Sequence, residues 1–114
     1  MQVAFITTAA YGEGDDVSWL EKYREELKEH GIMNITDVDL RSVQHKKLAK
    51  VLEESDICFV NGGNTFYLLH YIRESGLDVL LQQFLKDGKL YVGVSAGSIV
   101  CCPNIETALY ELSE

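Results

Sequence analysis

The sequence predicts a three-layer α/β/α domain built around a four-stranded parallel sheet. Short apolar segments alternate with longer segments of helical periodicity, which is the pattern that crossover helices between parallel strands produce. Three of the apolar segments run directly into turns of small residues. Because ligands bind beyond the carboxyl ends of parallel strands, we expect these three turns to share one crevice. With 114 residues, the chain is predicted to form a single domain over 1–114.

The predicted strands are short, apolar and rich in β-branched or aromatic residues. They cover residues 2–8, a segment with Ile35, Val38 and Leu40, residues 56–60, and a segment with Leu90, Tyr91, Val92 and Val94. The third segment is apolar almost throughout, as expected of a strand that is covered on both faces. Residues 7–14 are predicted to form a loop at the carboxyl end of the first strand.

The helices are predicted from apolar positions spaced three and four residues apart. They cover a segment capped by Asp15 or Asp16 and ended by Gly31, then residues 42–54, 65–74 and 77–86. In the helix over 65–74, the buried stripe is expected to hold Phe66, Leu69 and either Ile72 or Arg73. A short helix over 98–102 and a polar helix over 104–114 complete the prediction.

The composition argues against several classes of function. The formal net charge is −8, which disfavours nucleic acid and anionic membranes as partners because phosphate binding needs a basic surface. No apolar run approaches the roughly 18 residues of a membrane span, and the first residues lack the basic segment of a signal peptide. The three cysteines lack paired spacing, so we expect free thiols in a reducing cytoplasm. No cofactor and no metal site is predicted, because the adjacent Cys101 and Cys102 have no nearby ligands to complete a chelate.

The segment around Ser95 carries the strongest motif. Residues 93–97 read Gly-Val-Ser-Ala-Gly and follow a predicted buried strand. This G-x-S-x-G pattern is typical of a strand–turn–helix elbow that raises a serine hydroxyl above a parallel sheet. Side chains at Gly93 and Gly97 would collide with the neighbouring strand and helix. The structural alternative is a tight β–α turn whose glycines serve packing alone.

A second turn follows the third predicted strand. Residues 61–66 read Asn-Gly-Gly-Asn-Thr-Phe and lead into a predicted helix. The two glycines let backbone amides approach a ligand, and the helix N-terminus favours negative charge. One amide of this turn and the amide of Ala96 would then form an oxyanion hole. The structural alternative is a plain β–α turn with Asn64 as the helix N-cap.

Together, the two motifs resemble the peptidase E family of serine peptidases, which includes α-aspartyl dipeptidases and the related cyanophycinases. The resemblance rests on residues 62–66, on residues 93–98 about thirty positions later, and on the Phe-Ile-Thr-Thr-Ala segment at 5–9. It covers most of the chain. It implies a class I glutamine amidotransferase-like fold with a flavodoxin-like core.

The resemblance also implies a site and a reaction. Ser95 would be the nucleophile, and the backbone amides of Gly63 and Ala96 would be the oxyanion donors. Gly62 and Asn64 would lie on the substrate side of the site. The implied reaction is acyl transfer to Ser95 and hydrolysis of short peptides that begin with aspartate.

The chain departs from the family's pattern after Ser95. In the family, the catalytic histidine and the acidic residue that orients it follow the serine, and no histidine follows Ser95 here. The family's basic residues for the substrate aspartate, and its first strand, likewise have no counterpart. We therefore expect the chain to match the central, nucleophile-bearing part of the family domain, shortened at both ends.

Each of the three histidines is a weak candidate for a substitute base. His30 is expected to cap a helix end, and His45 to be solvated beside several lysines. His70 lies on the helix that opens at the glycine turn, which places it nearest the crevice without facing the serine. A serine hydroxyl is a weak nucleophile without a base in hydrogen-bond reach.

Two functions are therefore open at this point. The first is a serine peptidase whose base comes from missing sequence or from another subunit. The alternative is a catalytically inactive, truncated relative that binds a small ligand or a protein partner. The expected ligand is a short peptide or a small anionic substrate. We also expect self-association, most simply as a dimer, because exposed sheet edges pair readily with a second chain.

Overall fold

Four parallel strands form one sheet in the computed structural model, which describes residues 1–14 and 16–94. The strands are β1 (Gln2–Ile6), β2 (Asn34–Val38), β3 (Ile57–Val60) and β4 (Leu90–Gly93). Their order across the sheet is β2-β1-β3-β4. The predicted four-stranded parallel sheet is therefore confirmed, whereas the helices predicted over 98–102 and 104–114 lie outside the described residues.

The carboxyl ends of the four strands lie level with one another. Ile6 at the end of β1 is in register with Val38 of β2 and with Val60 of β3. Val60 is in turn in register with Gly93 of β4. Since β1 lies between β2 and β3, the chain changes its direction of progress across the sheet there, and a topological switch point lies between β1 and β3.

Helices cover both faces of the sheet. They are α1 (Thr8–Tyr11), α2 (Leu20–Glu29), α3 (His45–Glu54), α4 (Thr65–Ser75) and α5 (Leu77–Lys86). The prediction of a loop over 7–14 is wrong at α1, because a helix of four residues is too short to show any periodicity in the sequence. The start of α2 is later than predicted, since Asp16 accepts hydrogen bonds from the backbone and hydroxyl of Ser18 in a turn before the helix.

The core has two halves, one on each face of the sheet. Successive side chains of β1 alternate between them, with Val3 and Phe5 on one face and Ala4 and Ile6 on the other. Helix α2 covers the first face, and the second face packs against α3, α4 and α5 through Leu48, Leu52, Leu68, Ile72, Leu77 and Phe84. This arrangement of a sheet between two helical layers confirms the predicted three-layer α/β/α architecture.

The buried stripe of α4 differs from the predicted one. Phe66 is 69% exposed, and the buried residues of the helix are Leu68, Ile72 and Ser75. Apolar or aromatic residues occur on nearly every side of this helix, so the sequence pattern does not define which side faces the core. The contacts of α4 with α1 and α5 determine its rotation instead.

Strands β2 and β4 form the two edges of the sheet as far as the structure describes it. Leu90 of β4 is 57% exposed, so this edge offers apolar surface to a neighbour. Self-association through these edges stays a prediction. Each helix within residues 1–14 and 16–94 is too short or too polar to cross a membrane.

Candidate active site

The glycine turn, residues 61–64 between β3 and α4, packs directly against the backbone of α1. Gly63 has a φ of +144°, and a Cβ at this position would lie 2.1 Å from the carbonyl oxygen of Ala9. The amide of Asn64 donates a hydrogen bond of 3.0 Å to the same oxygen. Only glycine therefore fits at position 63, because both its backbone angle and the lack of space exclude a side chain.

The two glycine amides of this turn have no partner within the described part of the chain. No hydrogen bond ties the N–H of Gly62 or of Gly63 to residues 1–14 or 16–94. Asn64 caps α4, since its Oδ1 accepts a bond of 2.9 Å from the amide of Tyr67. The predicted cap is thus confirmed, and it leaves two backbone donors beside a helix N-terminus, where negative charge is favoured.

The end of β4 lies directly beside the glycine turn. Gly93 is in register with Val60, and the amide of Val94 donates a 3.0 Å hydrogen bond to the carbonyl oxygen of Val60. Asn61 follows Val60 in the sequence, and Ser95 follows Val94. Ser95 and Ala96 themselves lie outside the described residues, so their predicted roles as nucleophile and oxyanion donor stay predictions.

Equivalent hydrogen bonds join the strand ends across the sheet, and we call this row the strand-end ladder. The amide of Thr7 donates to Val38 O at 3.0 Å, that of Asn61 to Ile6 O at 3.1 Å, and that of Val94 to Val60 O at 3.0 Å. The first two steps are doubled by side chains, because the Thr7 hydroxyl and the Asn61 side-chain amide donate to the same carbonyls. The residue after each of these three strands is thus fixed to its neighbour.

Asn61 is a polar residue of the site that the sequence reasoning did not single out. Its side chain is fully buried at the switch point between β1 and β3, and Nδ2 donates to Ile6 O at 3.0 Å. Its Oδ1 has no hydrogen-bond partner among the described residues. An unsatisfied buried acceptor costs about 1–3 kcal/mol. The available signal was an asparagine placed directly after an apolar strand.

A second group of polar side chains lies at the same end of the sheet, and we call it the Arg41 network. Arg41 binds Asp39 through Nε and through Nη2, the latter at 2.7 Å. Its guanidinium carbon lies 4.0 Å from the centre of the Tyr11 ring, and Nη1 lies 3.3 Å from the Tyr67 hydroxyl. Thr8 donates to Asp39 and accepts from the amide of Leu40. The network joins the segments that follow β1, β2 and β3.

Both charged residues of the network have shifted pKa values. Burial alone would raise the pKa of Asp39, but the hydrogen bonds from the Arg41 side chain and backbone, with its positive charge, lower it overall. Hydrogen bonding to Asp39 raises the pKa of Arg41, against a smaller opposing effect of burial. The pair is therefore fully ionised at neutral pH.

The histidines of the described residues make structural contacts. Nδ1 of His30 lies 2.8 Å from Glu26 O at the end of α2, which confirms the predicted cap. His45 is exposed, as predicted, and its Nδ1 also lies 2.9 Å from Ser75 O, because α4 ends beside the start of α3. His70 is exposed and packs edge-on against Tyr71. In residues 1–14 and 16–94, no cluster of three or more His, Cys, Asp or Glu is placed to hold a metal ion.

Two surface grooves of the described residues lie away from the glycine turn. One of about 310 Å³ runs between α3 and α5, beside Leu52, Phe84 and Lys89. The other, of about 290 Å³, follows the β2 edge. Polar groups converge at the carboxyl end of the sheet, in the glycine turn, at Asn61 and in the Arg41 network, whose Asp39 also lines the second groove.

A parallel α/β sheet whose strand β4 leads into a G-x-S-x-G sequence is typical of hydrolases with a serine nucleophile elbow. Comparison with known proteins agrees with that class. The family model of peptidase family S51 matches residues 1–113. The chain therefore belongs to peptidase family S51.

Two individual relatives show how similar the chain is to known peptidases and how much of each protein it covers. The chain is 38% identical over 104 residues to the uncharacterized peptidase Lin0382 of Listeria innocua, covering 90% of this chain and 48% of the relative. It is also 38% identical over 103 residues to peptidase E of Shewanella amazonensis, covering 90% of this chain and 41% of that protein. The chain thus spans about half the length of the curated relatives it matches.

Solved structures confirm the fold. A Listeria monocytogenes EGD-e protein described as a peptidase E superposes with a TM-score of 0.84 at 33% identity, covering 91% of this chain and 50% of that one. A peptidase from an acI-B1 Actinobacterium gives a TM-score of 0.63 at 16% identity, covering 86% of this chain and 42% of its own, and supports the fold alone. The predicted resemblance to the peptidase E family is confirmed.

Proposed function

We propose that the chain is the nucleophile-bearing part of a serine peptidase that hydrolyses short peptides beginning with aspartate. Ser95 is the nucleophile in this proposal. The amides of Gly63 and Ala96 bind the oxyanion, and Gly62 and Asn64 line the substrate side. The observation that supports the proposal is the level register of Val60 and Gly93, which brings the end of β4, two residues before Ser95 in the sequence, beside the glycine turn.

The proposed reaction uses the free backbone donors of the glycine turn. The Ser95 oxygen attacks the scissile carbonyl, and the negative charge that develops on the carbonyl oxygen is stabilised by the amides of Gly63 and Ala96. The serine proton passes to a base and then to the leaving amine as the peptide bond breaks. Water subsequently hydrolyses the acyl-enzyme. Removing one such oxyanion donor typically slows the reaction by about 10²–10³-fold.

None of the three histidines of the chain is the base in the proposed reaction. His30 and His45 are engaged with backbone carbonyls, and His70 is an exposed residue of α4. We propose that a longer form of the chain, or another subunit, supplies a histidine to Ser95. Both sources are compatible with the match to about half of each relative.

A fluorophosphonate probe tests the nucleophile. The chain is prepared in the longest form that its reading frame encodes, treated with the probe and digested for mass spectrometry. We expect an adduct at Ser95 that disappears in Ser95→Ala and persists in the neighbouring control Ser98→Ala. An unlabelled Ser95, under conditions that label a known serine hydrolase, would contradict the proposal. Peptide binding without an adduct would favour the inactive, ligand-binding relative instead.

A further inference from the structure

Arg41 lies where the loops at the carboxyl end of the sheet meet. It follows β2, at one edge of the sheet, yet its guanidinium stacks on Tyr11 at the end of α1 and reaches Tyr67 in the first turn of α4. The amide of Tyr67 is bonded to Asn64 of the glycine turn. Tyr67 thus links Arg41 to the glycine turn, because its hydroxyl contacts the guanidinium and its amide binds Asn64.

The guanidinium is held in one orientation. Asp39 binds its Nε–Nη2 edge at distances between 2.7 and 3.2 Å. Asp39 is itself fixed by the Arg41 amide at 3.1 Å and by the hydroxyl of Thr8, a fully buried residue. Because the side chain is ordered before a ligand arrives, a ligand that binds it loses little additional conformational entropy.

Part of the guanidinium remains available for a ligand. Each terminal nitrogen of an arginine carries two N–H groups, and the contacts with Asp39 and Tyr67 use one on Nη2 and one on Nη1. The side chain is 35% exposed. Each terminal nitrogen therefore keeps one N–H without a partner among the described residues, and a carboxylate can accept charge-assisted hydrogen bonds from them.

We propose that Arg41 binds a carboxylate of the peptide substrate, a role that rests on the proposed function. The carboxylate belongs to the C-terminus of a short peptide. Asp39, Tyr11 and Tyr67 occupy three sides of the guanidinium, which leaves room for a chain end rather than for a chain passing through.

The expected effect is moderate because Asp39 already compensates the charge of Arg41. What Arg41 offers is a pair of directed, charge-assisted hydrogen bonds rather than an uncompensated positive charge. We therefore expect its loss to weaken the binding of a free-acid peptide by roughly tenfold. The binding of a peptide without that carboxylate should not change.

Three tripeptides and calorimetric titration test the proposal. The probes are Asp-Ala-Ala, Asp-Ala-Ala-amide and Asp-Ala-Glu-amide, and Ser95→Ala prevents their turnover. Arg41→Met and Arg41→Gln remove the guanidinium, and folding of each is checked by circular dichroism. Arg24→Met is a matched control, because Arg24 also binds an aspartate, Asp37, through Nε and Nη2 and lies 4.9 Å from the centre of a ring, that of Phe5.

The expected result is that the free acid binds about tenfold more tightly than its amide, and that both Arg41 variants, but not Arg24→Met, lose this preference. Recovery of tight binding with the Glu-containing amide would support the same site with a side-chain carboxylate as its ligand. Equal binding of acid and amide, no binding of any probe, or a preference retained by a folded Arg41 variant would overturn the proposal. Binding is measured without turnover, so failure to label Ser95 would refute the proposed function separately.

Discussion

Glycines occur at both ends of the sheet, but they meet different surroundings. At the amino end, Gly31 and Gly88 follow α2 and α5 with φ values of +85° and +79°, and a Cβ on either would meet no atom within 4 Å. At the carboxyl end, the same addition at Gly63 would collide with the backbone of α1. The amino-end turns need glycine for the backbone angle alone, whereas the carboxyl-end turn also needs the space.

Three of the five buried polar residues of the described chain lie at the carboxyl end, whereas Ser55, whose hydroxyl donates to Val51 O, is buried at the amino end. Thr7, Thr8 and Asn61 are all buried, and all three lie immediately beyond the carboxyl ends of strands. At the amino end, the contact between the amide of Gln2 and the carboxylate of Asp56 is exposed. The comparison teaches that the carboxyl end is assembled by close backbone approach and internal hydrogen bonds, which is what a site with fixed donors requires.

The largest expected effect is that of Asn61→Asp. The new carboxylate would be buried against Ile6 O, and an uncompensated buried charge costs about 3–5 kcal/mol. Burial raises the pKa of such a group, so the folded state binds the additional proton and the loss of stability grows as pH rises. Urea unfolding at pH 5 and pH 8 should give the larger loss at pH 8. An equal loss of unfolding free energy at pH 5 and pH 8 would show that the side chain at position 61 contacts solvent. The carboxyl end would then not differ from the amino end in the burial of its polar groups.

A smaller but still large effect is expected for Gly63→Ala. The collision with Ala9 and the unfavourable backbone angle together should cost roughly 2–4 kcal/mol of unfolding free energy. The matched substitution at the amino end, Gly88→Ala, meets only the backbone-angle penalty and should cost roughly 1 kcal/mol. Thermal and urea unfolding of both variants measures the difference. Equal losses would show that space is not what distinguishes the two ends.

The smallest effect is expected for Asp39→Asn. Asp39 has a lowered pKa, so its ionised form stabilises the fold above its ordinary value of 3.8 and this contribution is lost as pH falls through the folded-state pKa. We expect a loss of about 1 kcal/mol at pH 7 that persists to about pH 4 and shrinks below it. The control Asp37→Asn alters a carboxylate that is 55% exposed and should cost about 0.5 kcal/mol or less. If the loss of unfolding free energy does not change with pH, the ionised form of Asp39 does not stabilise the fold through its pairing with Arg41.

Much of the fold was predictable from the sequence. The alternation of apolar and periodic segments gave the strand and helix order, since each predicted strand overlaps an observed one. Two predictions failed, those for the conformation of residues 8–11 and for the buried side of α4. Helix α1 is too short to show a period, and Phe66 was assigned to the wrong side of α4 because apolar residues surround that helix. In both places, contacts between elements override the local pattern.

The candidate site was only partly predictable. The glycines at 62 and 63 and the cap at Asn64 were visible as a motif, because their roles depend on residues adjacent in sequence. The Arg41 network was missed, because it joins Thr8, Tyr11, Asp39 and Tyr67 from three separate segments. The available clue was an Asp-x-Arg sequence at the end of a predicted strand. The lack of a partner for Asn61 Oδ1 within the described part of the chain is a property of packing and has no sequence signature.

The strand-end ladder has a consequence for how this domain can vary among relatives. Each hydrogen bond of the ladder requires two neighbouring strands to end at the same level, from Val38 through Ile6 and Val60 to Val94. Adding a single residue to any of the four strands would offset every step beyond it. Insertions are therefore easier to accommodate in the turns around Gly31 and Gly88, which lie outside the ladder, than within the strands whose carboxyl ends it aligns.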